Sequence, residues 1–438
     1  MVVNKKVGVI SLGCDKNRVD TEKMLAILSQ KHTLTSDISE AQVIIVNTCA
    51  FLASSREEAI GEVLSASLYK DKGVCEKLIV TGCLPQKFIA DIYDDLIEAD
   101  AFLGVSDYAK INDVIDSVYL GDRVNAVGIP AGEPCKERVL TTSSYAYLKI
   151  ADGCSNHCTY CLIPYIRGKF RSVPLADLVE EASSLGNLNE LILVAQEVTR
   201  YGQDLAGNVN LITLIKELSK LDNVGAIRLL YCYPENITDD LILEFKTNPK
   251  LIKYIDIPLQ HASDPVLKRM NRKGTGAGYL SLIENLKSNI PSIAIRSTFI
   301  TGFPGETEED FNNLLDFVAK AKLFNAGFFK YSREEGTPAY KMDGQLPQSV
   351  KEKRIRKLYA LQRQVSKQNL KTFKGQTLSV TVEGFDEDDL LYYGRAYFNA
   401  PDIDGKVYFT AKNELCVGQV CQVKIARSTD YDLIGKMI

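Results

Sequence analysis

Short apolar runs alternate with amphipathic, helix-like stretches along the first third of the chain. Each apolar run is followed by a cysteine: residues 7–12 by Cys14, 43–46 by Cys49 and 78–80 by Cys83. Helix-like segments at residues 20–31, 54–69 and 85–98 fill the gaps. Parallel strands need a long crossover connection, so strand–helix–strand units of this length predict a parallel sheet. We expect residues 1–143 to form an α/β domain of this kind.

Six strand-like runs recur in the middle of the chain, each followed by a helical segment. They lie at residues 145–150, 190–195, 226–231, 253–258, 293–300 and 327–331. Thr307 and Asp310 have the spacing of an approximate capping box for the last intervening helix. Repeated βα units form a parallel barrel or an open sheet, and six are too few for an eight-stranded barrel. Residues 144–371 are therefore predicted to form a partial (βα)6 barrel that is open on one side.

The pattern changes again near the C-terminus, to short runs in which apolar and polar residues alternate. These runs lie at residues 378–382, 391–398, 406–410 and 420–425, joined by turns such as Asp404-Gly405. Alternation with a period of two is typical of half-buried strands. We expect residues 372–438 to form a small antiparallel β-barrel.

The composition is that of an ordinary soluble protein, and the length of the chain suggests about three domains. The chain has 438 residues, 45% of them hydrophobic and 25% charged. No stretch approaches the ~20 apolar residues of a membrane span. The sequence predicts a cytoplasmic protein, and its net charge of −4 argues against binding nucleic acid through bulk positive charge. Eleven cysteines, an odd number, fit metal ligation better than a disulfide framework.

Three of these cysteines stand close together directly after the first strand of the central region. Cys154, Cys158 and Cys161 have CxxxCxxC spacing, which places three thiols on one loop at a strand end. Three thiolates can each hold one iron of a cubic 4Fe-4S cluster, whose usual ligands are four cysteines, so the fourth iron would be open to a ligand. A zinc site is the alternative, although zinc usually takes two close pairs of ligands. A disulfide is disfavoured because the N-terminus has no secretory character.

This loop, with Tyr160 just before its last cysteine, resembles the signature of radical S-adenosylmethionine (SAM) enzymes. The resemblance implies that SAM chelates the open iron and is split by one electron into a 5′-deoxyadenosyl radical, with Tyr160 among the residues that contact SAM. The turn around Gly302, at residues 301–306, resembles the SAM-contacting motif of such barrels, and Glu197 resembles the polar group that holds the methionine end. Alone, that turn is more often a tight strand-to-helix connection.

The cysteines of the first domain form a second candidate set. Cys14, Cys49 and Cys83 each follow a predicted strand, and the carboxyl ends of parallel strands lie along one edge of the sheet. The alternative for each one is a small buried apolar residue. Three at equivalent strand ends favour a second 4Fe-4S cluster with an open iron. The other five lack such a relation and are interpreted as structural: Cys75, Cys135, Cys232, Cys416 and Cys421.

Three spaced N-terminal cysteines ahead of a radical SAM loop resemble the methylthiotransferases. Residues 11–20, Ser-Leu-Gly-Cys-Asp-Lys-Asn-Arg-Val-Asp, resemble the branch that modifies a ribosomal protein. The resemblance implies insertion of a methylthio group at the β-carbon of an aspartate in small-subunit ribosomal protein twelve, with two SAM molecules used per turnover. The sequence identifies neither the electron donor nor the sulfur donor. The alternatives are a tRNA adenosine methylthiotransferase and a non-catalytic iron–sulfur electron-transfer module.

The C-terminal region bears on the choice between protein and RNA substrates. Its position and size resemble the TRAM domain of methylthiotransferases, which presents the substrate. Residues 374–438 contain ten Asp and Glu against seven Lys and Arg, so this region repels phosphate on average. The acidic run at residues 386–389 suits a basic ribosomal protein, or is a solvated turn. A basic helix at residues 350–370 is either a solvated face or an RNA contact.

Two further residues have candidate roles in the central region. Arg296 lies within the fifth strand and could pair with a carboxylate of SAM or substrate, or form a structural ion pair. His261 follows the fourth strand and is either a polar contact near the substrate or a buried histidine with satisfied hydrogen bonds.

Overall fold

The N-terminal part of the chain is a six-stranded, wholly parallel sheet with strand order β2-β1-β3-β4-β5-β6. The computed structural model describes residues 4–130 and 136–438, so Cys135 lies outside the described residues. The elements are β1 (Lys6–Ser11), α1 (Asp15–Ser29), β2 (Thr33–Thr35), β3 (Val43–Thr48), α2 (Ala53–Lys72), β4 (Lys77–Gly82), α3 (Cys83–Ile92), β5 (Ala101–Leu103), α4 (Ile111–Tyr119) and β6 (Val124–Ala126).

The strands of this sheet are apolar because both faces are covered by helices. Successive residues point to opposite faces, so Ile44 and Leu78 belong to one apolar core while Val43 and Ile79 belong to another. Helix α1 begins at Asp15, five residues before the predicted start. Its first turns are polar but buried against the rest of the molecule, so they carry no apolar stripe that periodicity could detect.

The central part is a second parallel sheet of six strands, in the order β14-β13-β12-β11-β10-β7. Its elements are β7 (Tyr145–Lys149), β8 (Ala151–Asp152), α5 (Ile163–Ile166), β9 (Arg171–Ser172), α6 (Leu175–Ser184), β10 (Glu190–Val194), α7 (Leu211–Ser219), β11 (Ile227–Leu229), α8 (Asp239–Thr247), β12 (Leu251–Gln260), α9 (Asp264–Arg269), α10 (Gly276–Asn289), β13 (Ala294–Thr301), α11 (Glu308–Ala321), β14 (Asn325–Lys330) and α12 (Gln348–Lys371). Strands β8 and β9 form a separate antiparallel pair.

The prediction of a partial, open barrel is confirmed. Among the described residues β7 and β14 are the two edges of this sheet and do not pair with each other. The capping box at the start of α11 is also present: the Thr307 hydroxyl accepts from the Asp310 amide, and the Asp310 carboxylate accepts from the Thr307 amide. No helix in residues 4–130 or 136–438 combines the length and the apolar character needed to cross a membrane.

The C-terminal part is a closed five-stranded barrel, as predicted, with one additional strand. It consists of β15 (Thr377–Asp386), β16 (Leu391–Arg395), β17 (Val407–Thr410), β18 (Val420–Ser428) and β19 (Leu433–Met437). Four of the neighbouring pairs are antiparallel, but β17 and β19 run parallel to each other. Strand β19 was not predicted, and it is the strand that closes the barrel between β17 and β18.

The closed barrel packs directly on the partial barrel. One apolar core joins Tyr147, Ile192 and Tyr254 of the central sheet to Val380 and Phe398 of the closed barrel. Beside it lies a buried ion-pair group centred on Glu190 of β10. Its carboxylate lies 2.5 Å from Nε of Arg228 in β11 and 2.9 Å from Nη1 of Arg395 in β16. This group therefore joins the two barrels electrostatically.

Replacing Glu190 by glutamine should destabilise the protein in a pH-dependent way. Burial raises the pKa of Glu190, but Arg228 and Arg395 outweigh it and lower the pKa from 4.5 to about 2. Because the folded pKa lies below the unfolded one, the stabilisation is fully present above about pH 4.5 and is lost as the pH falls towards 2. We expect urea unfolding to show a deficit of on the order of 3 kcal/mol at pH 7.

The exposed pair of Glu217 and Lys220 provides the control, because surface ion pairs contribute little. Glu217→Gln should unfold as the wild type does. A deficit in Glu190→Gln that stayed constant down to pH 3 would contradict the assigned pKa shift.

Candidate functional site

The CxxxCxxC loop connects β8 to α5 and is tied down on both sides. The amide of Cys154 donates to the Gly168 carbonyl over 3.1 Å, and the amide of Cys161 donates to the Cys158 carbonyl over 3.1 Å. Between them, the Thr159 amide donates to the carbonyl of Met270, just beyond α9, over 3.2 Å. The loop is thus held by backbone contacts, and the Ile163 amide donates to the Cys161 sulfur over 3.4 Å.

The sulfurs of this loop are mutual neighbours. Burial raises the pKa of Cys154 to about 11, and the nearby Cys158 thiol acts in the same direction. Burial also raises the pKa of Cys161 strongly, again reinforced by Cys158 and, more weakly, by Cys154. Cysteine binds a metal as the thiolate, so a metal centre bound here must displace protons from these thiols.

Gly153, just before the first cysteine, is required by geometry. Its φ is +77°, and a Cβ at this position would lie 2.2 Å from the Lys169 carbonyl oxygen. Replacing it by alanine should therefore displace the loop and lower the iron content of the reconstituted protein. Gly186 has a similar φ of +73° but open space around its Cα. Gly186→Ala should cost only about 1–2 kcal/mol of stability and retain the iron, and equal iron loss in both variants would contradict the steric argument.

The second set of cysteines lies at the carboxyl edge of the N-terminal sheet. Cys14 caps the N-terminus of α1, Cys49 directly follows β3, and Cys83 is the first residue of α3. Because β1, β3 and β4 are neighbours in the sheet, the structure brings these three thiols together. A Cβ on Gly13 would lie only 3.2 Å from the Cys49 sulfur. Burial raises the pKa of Cys83 to about 12, against the effect of Arg167, and the nearby Cys14 and Cys49 thiols raise it further.

The donor chemistry of both sets fits an iron–sulfur cluster. All six cysteines are free thiols. In the part of the chain that the structure describes, no group of three His, Cys, Asp or Glu side chains is arranged to hold a single metal ion. A cluster instead distributes thiolates over different irons. Cys14 and Cys83 also lie at helix N-termini, where the backbone favours negative charge.

A buried charged network lies next to Cys83 and to the start of the CxxxCxxC loop. Asp20 of α1 accepts from Arg167, which follows α5, over 2.9 Å, and it also pairs with Lys149 of β7. Asp152 of β8 accepts from the Gln196 side chain over 2.9 Å. The sequence analysis gave no role to Lys149, Asp152 or Arg167, and Asp20 entered it only as the last residue of the family motif. Their pairing links segments far apart in the chain, and the only local signal was that the polar Asp20 and Arg167 lie near the cysteine motifs.

The residues that follow Cys14 contact the partial barrel. The Tyr231 hydroxyl, just beyond β11, donates to Asp15 over 3.2 Å, and the Lys16 ammonium lies 2.9 Å from the same carboxylate. The Lys16 nitrogen also lies 3.6 Å from the centre of the Tyr231 ring. Asp15 and Lys16 entered the sequence analysis only as parts of a family motif, and the structure places both at the junction between the two sheets.

Of the predicted SAM contacts, Tyr160 is part of the CxxxCxxC loop and Glu197 contacts it. Glu197 is buried and accepts from Asn156, inside the loop, over 2.5 Å, and also from Asn236. Burial raises its pKa above the ordinary value. Tyr160 is half-buried, with its ring edge-on to Phe303 at a centroid distance of 6.5 Å.

The other two predicted contacts are engaged with the protein itself. The Gly302 amide donates to Glu306 over 2.5 Å, and with φ at +77° a Cβ there would lie 2.4 Å from Lys351 Cγ. Arg296 lies 3.1 Å from Asp256 and 3.4 Å from Asp404 of the closed barrel. These pairs are the structural alternative given for Arg296, and contact with SAM stays a prediction.

His261 is fully buried near the same turn. Its Nδ1 accepts from the Ser263 amide over 3.0 Å, while its Nε2 has no hydrogen-bond partner among the described residues and lies 3.8 Å from Glu306. Burial lowers the pKa of His261 to about 3, so the ring is neutral. The histidine is thus only half satisfied by the protein.

The acidic run of the closed barrel faces solvent, whereas the basic helix α12 does so only in part, because its Lys351 and Arg354 are buried. Glu387, Asp388 and Asp389 are exposed, and the last two donate their amides to Asp386 in a turn. On α12, Lys367 pairs with Asp430 over 3.0 Å, so part of its charge is neutralised within the protein. Neither feature selects a partner by itself.

Comparisons with known proteins cover the whole chain. The Radical SAM superfamily matches residues 148–318, the uncharacterized protein family UPF0004 matches residues 6–104, and the TRAM domain matches residues 375–438. Among solved structures, the radical SAM methyltransferase TsrM from Kitasatospora setae, with cobalamin and a [4Fe-4S] cluster bound, has a TM-score of 0.58 at 13% identity. The match covers 77% of this chain and 74% of that one. At this identity the likeness concerns the fold.

Curated relatives are much more similar. "Ribosomal protein uS12 methylthiotransferase RimO" of Acetivibrio thermocellus is 46% identical, over 100% of this chain and 99% of its own length. The protein of the same name from Geobacter sulfurreducens is 46% identical, over 99% of both chains. These matches span both cysteine triads and the closed barrel. The chain therefore belongs to the ribosomal protein uS12 methylthiotransferase family of radical SAM enzymes.

Proposed function

We propose that this chain is a radical SAM methylthiotransferase that inserts a methylthio group at the β-carbon of an aspartate in ribosomal protein uS12. Relatives that carry this activity in their names are 46% identical over the full length. The observation that supports the chemistry best is the placement of two cysteine triads at the carboxyl ends of two adjoining parallel sheets. Members of the radical SAM superfamily use SAM and an iron–sulfur cluster, and both are cofactors of this chain.

The proposal assigns the cysteines to two 4Fe-4S clusters. Cys154, Cys158 and Cys161 would hold the one that binds SAM, and Cys14, Cys49 and Cys83 would hold a second. Bound there, the clusters would supply the electron that cleaves SAM and a site that holds the sulfur to be transferred. Two SAM molecules are used per turnover, one as radical source and one as methyl donor. In this proposal the domain at residues 1–143 holds the second cluster, and the domain at residues 144–371 holds SAM and its cluster. Residues 372–438 form the TRAM-like domain.

The other predicted site residues bind and orient SAM or the substrate. Glu197, held by Asn156 and Asn236, would accept hydrogen bonds from the amino group of SAM. The Gly302 turn would bring backbone close to SAM, and Tyr160, within the loop, packs edge-on against Phe303. Arg296 is paired with Asp256 and Asp404, and its remaining N–H groups would orient a carboxylate of SAM or substrate. The buried network around Asp20 and Asp152 excludes water from the space between the triads.

The number of clusters is tested by iron and acid-labile sulfide analysis of anaerobically prepared protein. The wild type should contain about eight irons per chain, and the variant Cys14→Ala/Cys49→Ala/Cys83→Ala about four. Equal contents in the two proteins would remove the second cluster from the proposal.

The substrate is tested by mass spectrometry of uS12 and tRNA from a deletion strain. The methylthio group should disappear from the protein while tRNA is unchanged. Residues 374–438 contain ten acidic and seven basic residues, and this negative balance argues against a tRNA substrate because it repels phosphate. Loss of a tRNA methylthio group with uS12 modification intact would reverse the assignment.

A SAM cleavage assay distinguishes the proposed enzyme from the non-catalytic alternative. Reduced, reconstituted protein should release 5′-deoxyadenosine from SAM. An inert protein with both clusters intact would favour an electron-transfer module instead.

A further inference from the structure

Among the described residues of the buried network, Arg167 contacts both a cysteine of the N-terminal triad and the strand that leads into the CxxxCxxC loop. It follows α5, six residues after Cys161, and is 2% exposed. Its Nη1 donates to Asp152, two residues before Cys154, over 3.1 Å. Its Nη2 lies 3.7 Å from the sulfur of Cys83, within hydrogen-bond distance for sulfur.

The two arms of the guanidinium have different partners. Nη1 lies between the carboxylates of Asp20 and Asp152, which balance the buried charge of Arg167 together with that of Lys149. Within the described parts of the chain Nη2 contacts no carboxylate; it donates instead to Cys83 and, over 2.6 Å, to the side chain of Asn17. Charge balance therefore explains the contacts of Nη1 but not those of Nη2.

The arm directed at the sulfur is held firmly. The Asn17 side chain donates to the carbonyls of Leu12 and Thr48, each over 3.0 Å, which fixes its oxygen towards Nη2. Leu12 and Thr48 each lie within two residues of a cysteine of the N-terminal triad. The guanidinium is thus oriented by the same backbone that positions the thiols.

We infer that Arg167 is a positioning residue for the N-terminal triad: it donates a hydrogen bond to the Cys83 sulfur and raises the reduction potential of the cluster bound there. Reduction adds negative charge to a cluster, and hydrogen bonds to its sulfurs and nearby positive charge stabilise that charge. Through Asp152, the same side chain fixes the start of the SAM loop relative to Cys83. The inference rests on the proposed second cluster.

The test is a reductive titration of the second cluster followed by electron paramagnetic resonance. It uses the full-length chain with Cys154→Ala, Cys158→Ala and Cys161→Ala, in which only the N-terminal triad binds iron. Arg167→Lys is introduced into this parent, because lysine keeps the charge for Asp20 and Asp152 but has no second arm for Cys83. The midpoint potential should shift to a more negative value.

Arg138→Lys is the matched control. Arg138 also has a fully buried side chain and also joins the first domain to the partial barrel, by pairing with Glu22 of α1 and, over 2.9 Å, with Glu181 of α6. The structure gives it no contact with a cysteine among the described residues. The potential of this variant should equal that of the parent.

The remaining outcomes also decide. Loss of iron from Arg167→Lys alone would support the inference, because the contact would then be needed to seat Cys83. An unchanged potential, an equal shift in Arg138→Lys, or unfolding of Arg167→Lys would overturn it. A parent that binds no iron would show that the second cluster itself is wrong, which is distinct from a parent whose cluster ignores Arg167.

Discussion

Replacing Cys158 by serine should abolish cleavage of SAM. Cys158 is the middle ligand of the proposed SAM cluster, and its thiol is close enough to Cys154 and Cys161 to raise the pKa of both. A serine hydroxyl is a hard ligand that stays protonated near neutral pH, so it does not replace a thiolate on iron. Release of 5′-deoxyadenosine should fall more than ~100-fold, since loss of a residue that only supports a metal ligand already costs 10–100-fold.

The control for this variant is Cys416→Ser. Cys416 is an exposed free thiol in the closed barrel, far in sequence from both triads. That variant should keep the iron content and the cleavage rate of the wild type. Comparable losses in the two variants would indicate general sensitivity to thiol replacement and would remove Cys158 from the ligand set.

Removing the three cysteines of the N-terminal triad should uncouple SAM cleavage from methylthio transfer. The variant Cys14→Ala/Cys49→Ala/Cys83→Ala keeps the CxxxCxxC loop, which is held by contacts with Gly168 and Met270 outside the N-terminal domain. It should therefore still convert SAM to 5′-deoxyadenosine when reduced. Transfer of a methylthio group to uS12 should fall more than ~100-fold, because the residues proposed to hold the sulfur-carrying cluster are gone.

Both products should be measured in the same reaction, by chromatography for 5′-deoxyadenosine and by mass spectrometry for uS12. Methylthio transfer at the wild-type rate would show that the N-terminal cysteines are structural. Loss of SAM cleavage as well would show that the two sites cannot be separated in this way.

The sequence predicted those parts of the molecule that local patterns determine. The six strands of the partial barrel are apolar runs, and the Thr307–Asp310 capping box is a four-residue signal. The meeting of Cys14, Cys49 and Cys83 followed from strand order alone, because adjacent parallel strands end at one edge. In each case the information lies within one element or its immediate repeat.

What the sequence did not predict depends on packing between distant segments. The first turns of α1 bury Lys16, Asn17 and Asp20, and polar residues in such positions give no helical apolar stripe. The contact between Arg167 and Cys83 joins residues 84 positions apart and has no local signature. Strand β19 contains a glycine and only a short alternation, so its place in the barrel depends on pairing with β17 and β18.

The shared apolar core between the two barrels determines how the chain can be divided. Tyr147, Ile192 and Tyr254 of the central sheet are buried in the same core as side chains of the closed barrel. A truncated chain that ended before β15 would expose this aromatic surface to water and would leave Glu190 and Arg228 without Arg395. Such a fragment should self-associate during expression, so the C-terminal barrel acts as an intramolecular cover that keeps the catalytic half soluble.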